Sequence, residues 1–178
     1  MGGVTYTPQP GDMATCIVPG PVSPLIRLGE WANGDGFRPA GHAFIYIGHG
    51  DIVGANPGGA RQNRLATTGY IDITWSAPAI QPTAAQRSDM VHHALALIGT
   101  PYSALDYLAL ATHRLHLPAP GLRAYVASTR HLICSQLVDA VAFAAGVHLF
   151  TDGRWPGYVT PAELYNLFTT RGAADVDA

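Results

Sequence analysis

Residues 41–59, GHAFIYIGHGDIVGANPGG, read as a β-hairpin, and that reading decides the fold class. His42–Ile47 is rich in strand formers, Gly48-His49-Gly50-Asp51 supplies a turn, and Ile52–Ala55 returns, so the two strands pair antiparallel. Alternation along the first strand puts His42, Phe44 and Tyr46 on one face of the sheet. Upstream, PGDMATCIVP (10–19) opens with a turn signal, places Asp12 at its start and continues as a short apolar run suited to a strand. Downstream, Ile71, Ile73 and Trp75 alternate with polar residues, which predicts a further strand over Tyr70–Trp75.

The remaining segments read as helices. SPLIRLGEW (23–31) carries Leu25, Ile26 and Leu28 and predicts one short helix before the break at NGDG (33–36). Beyond Pro82, Thr83 is a candidate N-cap and Ala84–Ile98 carries Met90, Val91, Ala94, Leu95, Leu97 and Ile98 at three- and four-residue intervals, closed by Gly99. A second helix is expected from Ser103 to about Leu115, before LPAPG. A third, Cys134–Ala145, stacks Leu137, Val138, Val141, Ala142 and Ala145 on one side and stops at Gly146. The last, with Pro161 in its first turn, runs to Phe168, and RGAADVDA (171–178) reads as a frayed end. A small antiparallel sheet with helices segregated around it is the α+β class. With 178 residues, 48% of them hydrophobic and no internal repeat, the chain reads as a single domain over 1–178 with its core at about 9–168.

Composition excludes several classes of function. A formal net charge of -2 with 12% charged residues provides no basic surface for nucleic acid or anionic lipid. No apolar run reaches the roughly 18 residues of a membrane span, and MGGVTYTPQPGD (1–12) lacks the charged-then-apolar order of a signal peptide. The expectation is a soluble chain without a membrane span, fitting a cytoplasmic protein, a phage product or a leaderless exported effector. Two cysteines, Cys16 and Cys134, are too few for a disulfide scaffold and lack zinc-ligand spacing. Of the eight histidines, adjacent His92 and His93 point apart on a helix, and His113 and His116 flank a proline-rich turn. A site using His42, His49 and His92 lacks a completing carboxylate or cysteine, so neither a metal nor another cofactor is expected.

HLICSQLVDAVAFAAG (131–146) carries the strongest chemical signal, a cysteine at the passage from an apolar extended segment into a helix. A helix N-terminus stabilises a thiolate and can bind a developing oxyanion through its first-turn N–H groups. Cys134 is therefore the candidate nucleophile, against the plainer reading of a buried small hydrophobe. His42, at a strand start, is the candidate base, because a reactive thiol needs an imidazole within hydrogen-bond reach. Cys16 reads as core filler that could also face the site, and His49 as an exposed turn residue.

PGDMATC, SPLIRLGEW, GHAFIYIGHGDIVGANPGG, GTPYSALDY, ICSQLVDAVAFAAG and VTPAELYNLF follow one another in an order that resembles the circularly permuted NlpC/P60-like amidases and peptidases, a group including YiiX/YaeF-like proteins and relatives of lecithin retinol acyltransferase. The resemblance spans about residues 9–168. It implies a papain-like fold in which the histidine strand comes early and the cysteine helix late, with Cys134 as nucleophile and His42 as base. GTPY resembles the family's Gly-x-x-Tyr, so Tyr102 would lie near the nucleophile and help hold the oxyanion; a half-buried aromatic after a turn fits it equally. The family places a third polar residue, His or Glu, twelve positions after the base, and here that position is Gly54. Asn56, two residues on and on the same strand face, is the nearest candidate to orient His42, beside the alternatives Gln62, Asn63, a backbone carbonyl, or no role beyond the turn at Pro57. Gln136 stands where the family commonly has an acidic residue.

These readings imply a cysteine hydrolase acting on a peptide or acyl-amide substrate, with cell-wall peptide amides first and acyl esters or lipid amides next. Acyl transfer to an amine or alcohol uses the same residues. A binding module that keeps the fold without its chemistry is the alternative that Gly54 raises. Oligomeric state is not legible.

Overall fold

The computed structural model describes residues 6–19, 40–102, 133–152 and 159–174. Among these residues five strands are formed, β1 (Met13–Ile17), β2 (His42–Gly48), β3 (Asp51–Asn56), β4 (Gly59–Arg64) and β5 (Ile71–Trp75), followed by three α-helices, α1 (Ala84–Ala96), α2 (Cys134–Ala144) and α3 (Pro161–Ala174). The sheet order is β4-β3-β2-β1-β5 and every pairing is antiparallel. The expected α+β architecture is observed among the described residues. The helices expected over Ser23–Trp31 and Ser103–Leu115, with His113 and His116, lie outside them.

The hairpin forms as its sequence dictates. Gly48, His49 and Gly50 all take positive φ, at 99°, 54° and 81°, which reverses the chain within two residues between β2 and β3. The Gly50 N–H donates to the Tyr46 hydroxyl at 3.0 Å, and the Arg64 guanidinium donates to the His49 carbonyl, so β4 braces the turn from the neighbouring position.

Strand β4 was not expected. GARQNR has no apolar alternation: Ala60 is buried, whereas Arg61 and Gln62 are exposed. It is an edge strand held by backbone pairing to β3 and, across its start, by hydrogen bonds that the Gly99–Tyr102 segment completes: Ala60 N–H to Thr100 O at 2.8 Å and Gly99 N–H to Ala60 O at 2.9 Å. Backbone pairing does not require an apolar period, so pattern reading passes over such a strand.

Period-two alternation divides the sheet into two chemically distinct faces. One carries Met13, Ala43, Ile45, Val53 and Ala55, packed against Met90 and Ala94 of α1, Leu137, Val138, Val141 and Ala142 of α2, and Leu164 and Phe168 of α3. Each fully buried Leu or Val there contributes roughly 1.5–3 kcal/mol of transfer free energy. The other face carries Ala14, Cys16, Phe44 and Ile52 beneath Tyr46, Leu65, Tyr70, Ile73 and Trp75. Aromatic rings tile it: Phe44 stacks with Tyr70 at 5.8 Å between centroids and meets Trp75 edge-on at 5.7 Å.

Local chemistry sets each helix start. In α1 the Thr83 N–H donates to Gln86 Oε1 at 2.9 Å and the Gln86 N–H donates to Thr83 Oγ1 at 3.2 Å, a reciprocal cap. Leu95 and Ile98, although apolar, remain over 40% exposed on its outer side. In α2 the preceding Ile133 is extended, and its N–H donates to Gln136 Oε1 at 3.0 Å, which fixes the first turn with Cys134 as its first residue. That bond gives buried Gln136 a role. Ser135 Oγ donates to the Val159 carbonyl at 2.6 Å, tying α2 to the entrance of α3. Helix α3 is capped by Thr160 and Glu163 and continues past the expected end at Phe168 to Ala174, into the tail expected to fray.

The PGD turn of the opening strand proves to be a clamp. Asp12 is fully buried and accepts from Arg87 Nη1 at 2.7 Å, the Tyr6 hydroxyl at 2.6 Å and the Gln9 N–H at 2.7 Å. Burial and the bond to Asp12 push the Tyr6 phenol up to about 12. Gly11, at φ 87°, lies so close to α1 that an added Cβ would fall 2.8 Å from Arg87 Cα. The pair therefore fixes α1 to the start of β1.

Candidate active site

His42 is the first residue of β2 and sits on the aromatic face, as alternation predicts; only 4% of it is exposed. Its ring lies 5.2 Å from that of Tyr70, tilted by 57°. Its Nε2 atom is buried and has no hydrogen-bond partner among the described residues. Burial pushes the imidazole down to about 4, so His42 is neutral at physiological pH and able to accept a proton.

Gly54 of β3 faces this ring. A Cβ added there would come within 3.1 Å of His42 Nε2 and 3.4 Å of Phe44 Cβ. The position twelve residues after His42, where the resemblance expects a third polar residue, thus lies beside the His42 ring, and glycine leaves it without a side chain. The imidazole packs directly against the β3 backbone instead.

Cys134, 1% exposed, opens α2. Two groups on the aromatic face register its charge: the Cys16 thiol and the Tyr70 phenol. Cys16 in turn stands directly opposite His42 in the β1–β2 register. Burial, and after it the Cys134 charge, push the Cys16 thiol up, which leaves it a neutral, fully buried thiol. Neither cysteine is in a disulfide. Cys16 therefore packs as core and also borders the site.

Asn56, the last residue of β3, acts on the Tyr70 phenol and lowers it. The phenol is nevertheless pushed up to about 12, first by burial, with Asn56 and Arg61 opposing and the two cysteines adding to the rise. Tyr70 thus stands against the His42 ring with Asn56 acting on its phenol. Sequence reading placed Tyr70 at the start of an alternating strand and passed over it as a site residue, because nothing local connects it to His42.

Tyr102 ends the segment that pairs with the start of β4, and it packs, half-buried, against the core between sheet and helices. His49 is exposed in the β2–β3 turn, and Gln62 is engaged with Asp51 at 2.9 Å. Among the described residues no three His, Cys, Asp or Glu side chains converge as a metal site would require, and no helix is long and apolar enough to cross a membrane.

No family model matches the chain, and no curated protein is similar to it at a significant level. The functional reading accordingly rests on the residues and their geometry.

Proposed function

We propose that this protein is a thiol hydrolase of permuted papain-like architecture, in which Cys134 attacks an amide or ester carbonyl and His42 acts as general base. One arrangement carries the reading: the Cys16 thiol faces His42 in register and the Tyr70 ring lies 5.2 Å from its ring, and a thiolate at Cys134 would push both of those groups up. The histidine strand and the start of the cysteine helix thereby share one neighbourhood.

The chemistry follows from the state of each group. Neutral His42 takes the proton of the Cys134 thiol as the sulfur bonds to the carbonyl carbon, and the positive end of α2 meets the developing oxyanion. Imidazolium then delivers that proton to the leaving amine or alcohol as the carbonyl re-forms, leaving a thioester on Cys134. A water deprotonated by His42 releases the acid and restores the thiol. Tyr102 is the proposed helper at the oxyanion, on the strength of the Gly-x-x-Tyr resemblance. Peptide amides of cell-wall type are the first substrate class, acyl esters and lipid amides the second; transfer to an amine or alcohol would use the same thioester.

A second reading, a binding module that retains the fold without turnover, is favoured by a specific feature, the unpartnered Nε2 beside Gly54. Incubation with p-nitrophenyl acyl esters and with short cell-wall peptides, followed by intact mass, separates the two. The hydrolase reading expects turnover and an acyl adduct on Cys134, both lost in Cys134→Ala; full activity in that variant rules the assignment out.

A further inference from the structure

Three neighbours confine the His42 ring, and none of them hydrogen-bonds its Nε2. Gly54 forms a floor so close that a Cβ would stand 3.1 Å from Nε2. Tyr70 forms a wall, its ring 5.2 Å from the imidazole centroid. Cys16 lies opposite on β1. The wall is itself braced: the Tyr70 ring stacks on Phe44 at 5.8 Å and 25°, and Asn56 acts on its phenol.

An imidazole that serves as base must present one nitrogen to the thiol in a defined direction, and hydrogen bonding at the other nitrogen usually sets it. Here that device is missing at Nε2, and steric confinement stands where it would act. Resting on the assignment of His42 as base, we propose that Tyr70 is a positioning residue: stacked on Phe44, its ring holds the imidazole against Gly54 and so replaces the third polar side chain that glycine does not supply. Asn56, through its action on the Tyr70 phenol, then acts on His42 indirectly. Among the described residues the ionisable groups around the ring are Cys16 on β1, Tyr70 ahead of β5, Cys134 at the start of α2 and, acting on Tyr70, Arg61 on β4. None of these is a carboxylate, so movement of the ring into water is the change that Tyr70 substitution should produce.

The test is an NMR titration of imidazole-labelled protein, with His42 assigned from His42→Gln, on the wild type, Tyr70→Phe, Tyr70→Leu and Asn56→Ala. Tyr70→Leu removes the wall, and the titration of His42 should rise from about 4 toward the 6.5 of an exposed imidazole. Tyr70→Phe keeps the ring and should move it by less, with Asn56→Ala resembling Tyr70→Phe because both remove the interaction of Asn56 with the phenol. Iodoacetamide modification of Cys134 should slow by about tenfold in Tyr70→Leu, the effect of losing an orienting partner, and by less in Tyr70→Phe. A folded Tyr70→Leu protein whose His42 titrates as in the wild type overturns the proposal. Should Tyr70→Leu fail to fold, identical His42 titration and imidazole shifts in the wild type, Tyr70→Phe and Asn56→Ala overturn it equally. A shifted titration with Cys134 modification indifferent to both Tyr70→Leu and His42→Gln supports the positioning of the ring and contradicts the role of His42 as base.

Discussion

Replacing His42 by Gln should remove a specific acid-sensitive part of the folding free energy. The imidazole is held at about 4 in the folded chain against 6.5 when exposed, because a 4% exposed ring cannot solvate its charged form. Between those values the unfolded chain binds more protons than the folded one, so stability rises with pH and falls on acidification through the window from 6.5 to 4. Integrating that difference gives a loss of about 2 kcal/mol at pH 5 and about 3 kcal/mol at pH 4, relative to pH 7.5. Urea unfolding of the wild type and His42→Gln at pH 7.5, 6, 5 and 4 isolates the term, since contributions of all other groups cancel in the difference. The wild type should lose its advantage over the variant, or fall further behind it, by that amount as the pH drops. A difference between the two proteins that stays constant from pH 7.5 to 4 would refute the claim that His42 is buried and neutral.

The Asp12 clamp makes two linked predictions. Arg87→Met strands a fully buried carboxylate that keeps only its Tyr6 and Gln9 donors, and it should cost about 3 kcal/mol, the lower end for breaking a buried pair, measured as the urea midpoint at constant slope. Gly11→Ala forces a Cβ to 2.8 Å from Arg87 Cα at a positive φ, so it should destabilise by at least as much, with the loss seen in thermal unfolding.

How much of this was legible depended on whether the determinant was local. The β2–β3 hairpin carried both a period-two pattern and turn residues, so its strands, its pairing and the face of His42 followed from the chain alone. Helix α2 was equally readable, because its apolar side and its terminal Gly146 lie within one segment, and an extended Ile133 marks its start. Strand β4 was hidden because its stabilisation is backbone pairing at an edge, which leaves no trace in the polarity of GARQNR. The Asp12–Arg87 pair joins residues 75 positions apart, and no spacing rule connects them.

The site divides along the same line. The places of Cys134 at a helix start and of His42 at a strand start were visible in the sequence, and the proposed chemistry rests on them. Tyr70 was not, since its importance arises from what crosses above β2 and β3 in three dimensions, namely the His42 ring, the Asn56 amide and Phe44. Asn56 was singled out as the nearest candidate to orient His42; it acts on the Tyr70 phenol, and a path from there to the imidazole is what the proposal for Tyr70 adds. Tyr102 was given its role by resemblance alone, since nothing in its local pattern marks it beyond an aromatic after a turn.

The partnership of Cys134 with His42 is the claim on which the functional account turns, and the pH dependence of Cys134 alkylation by iodoacetamide tests it most directly. Measured near pH 6 in a Cys16→Ser background, Cys134 should react faster than an ordinary free thiol, and His42→Gln should abolish that advantage. A rate equal to that of an ordinary thiol, the same with and without His42, would contradict it.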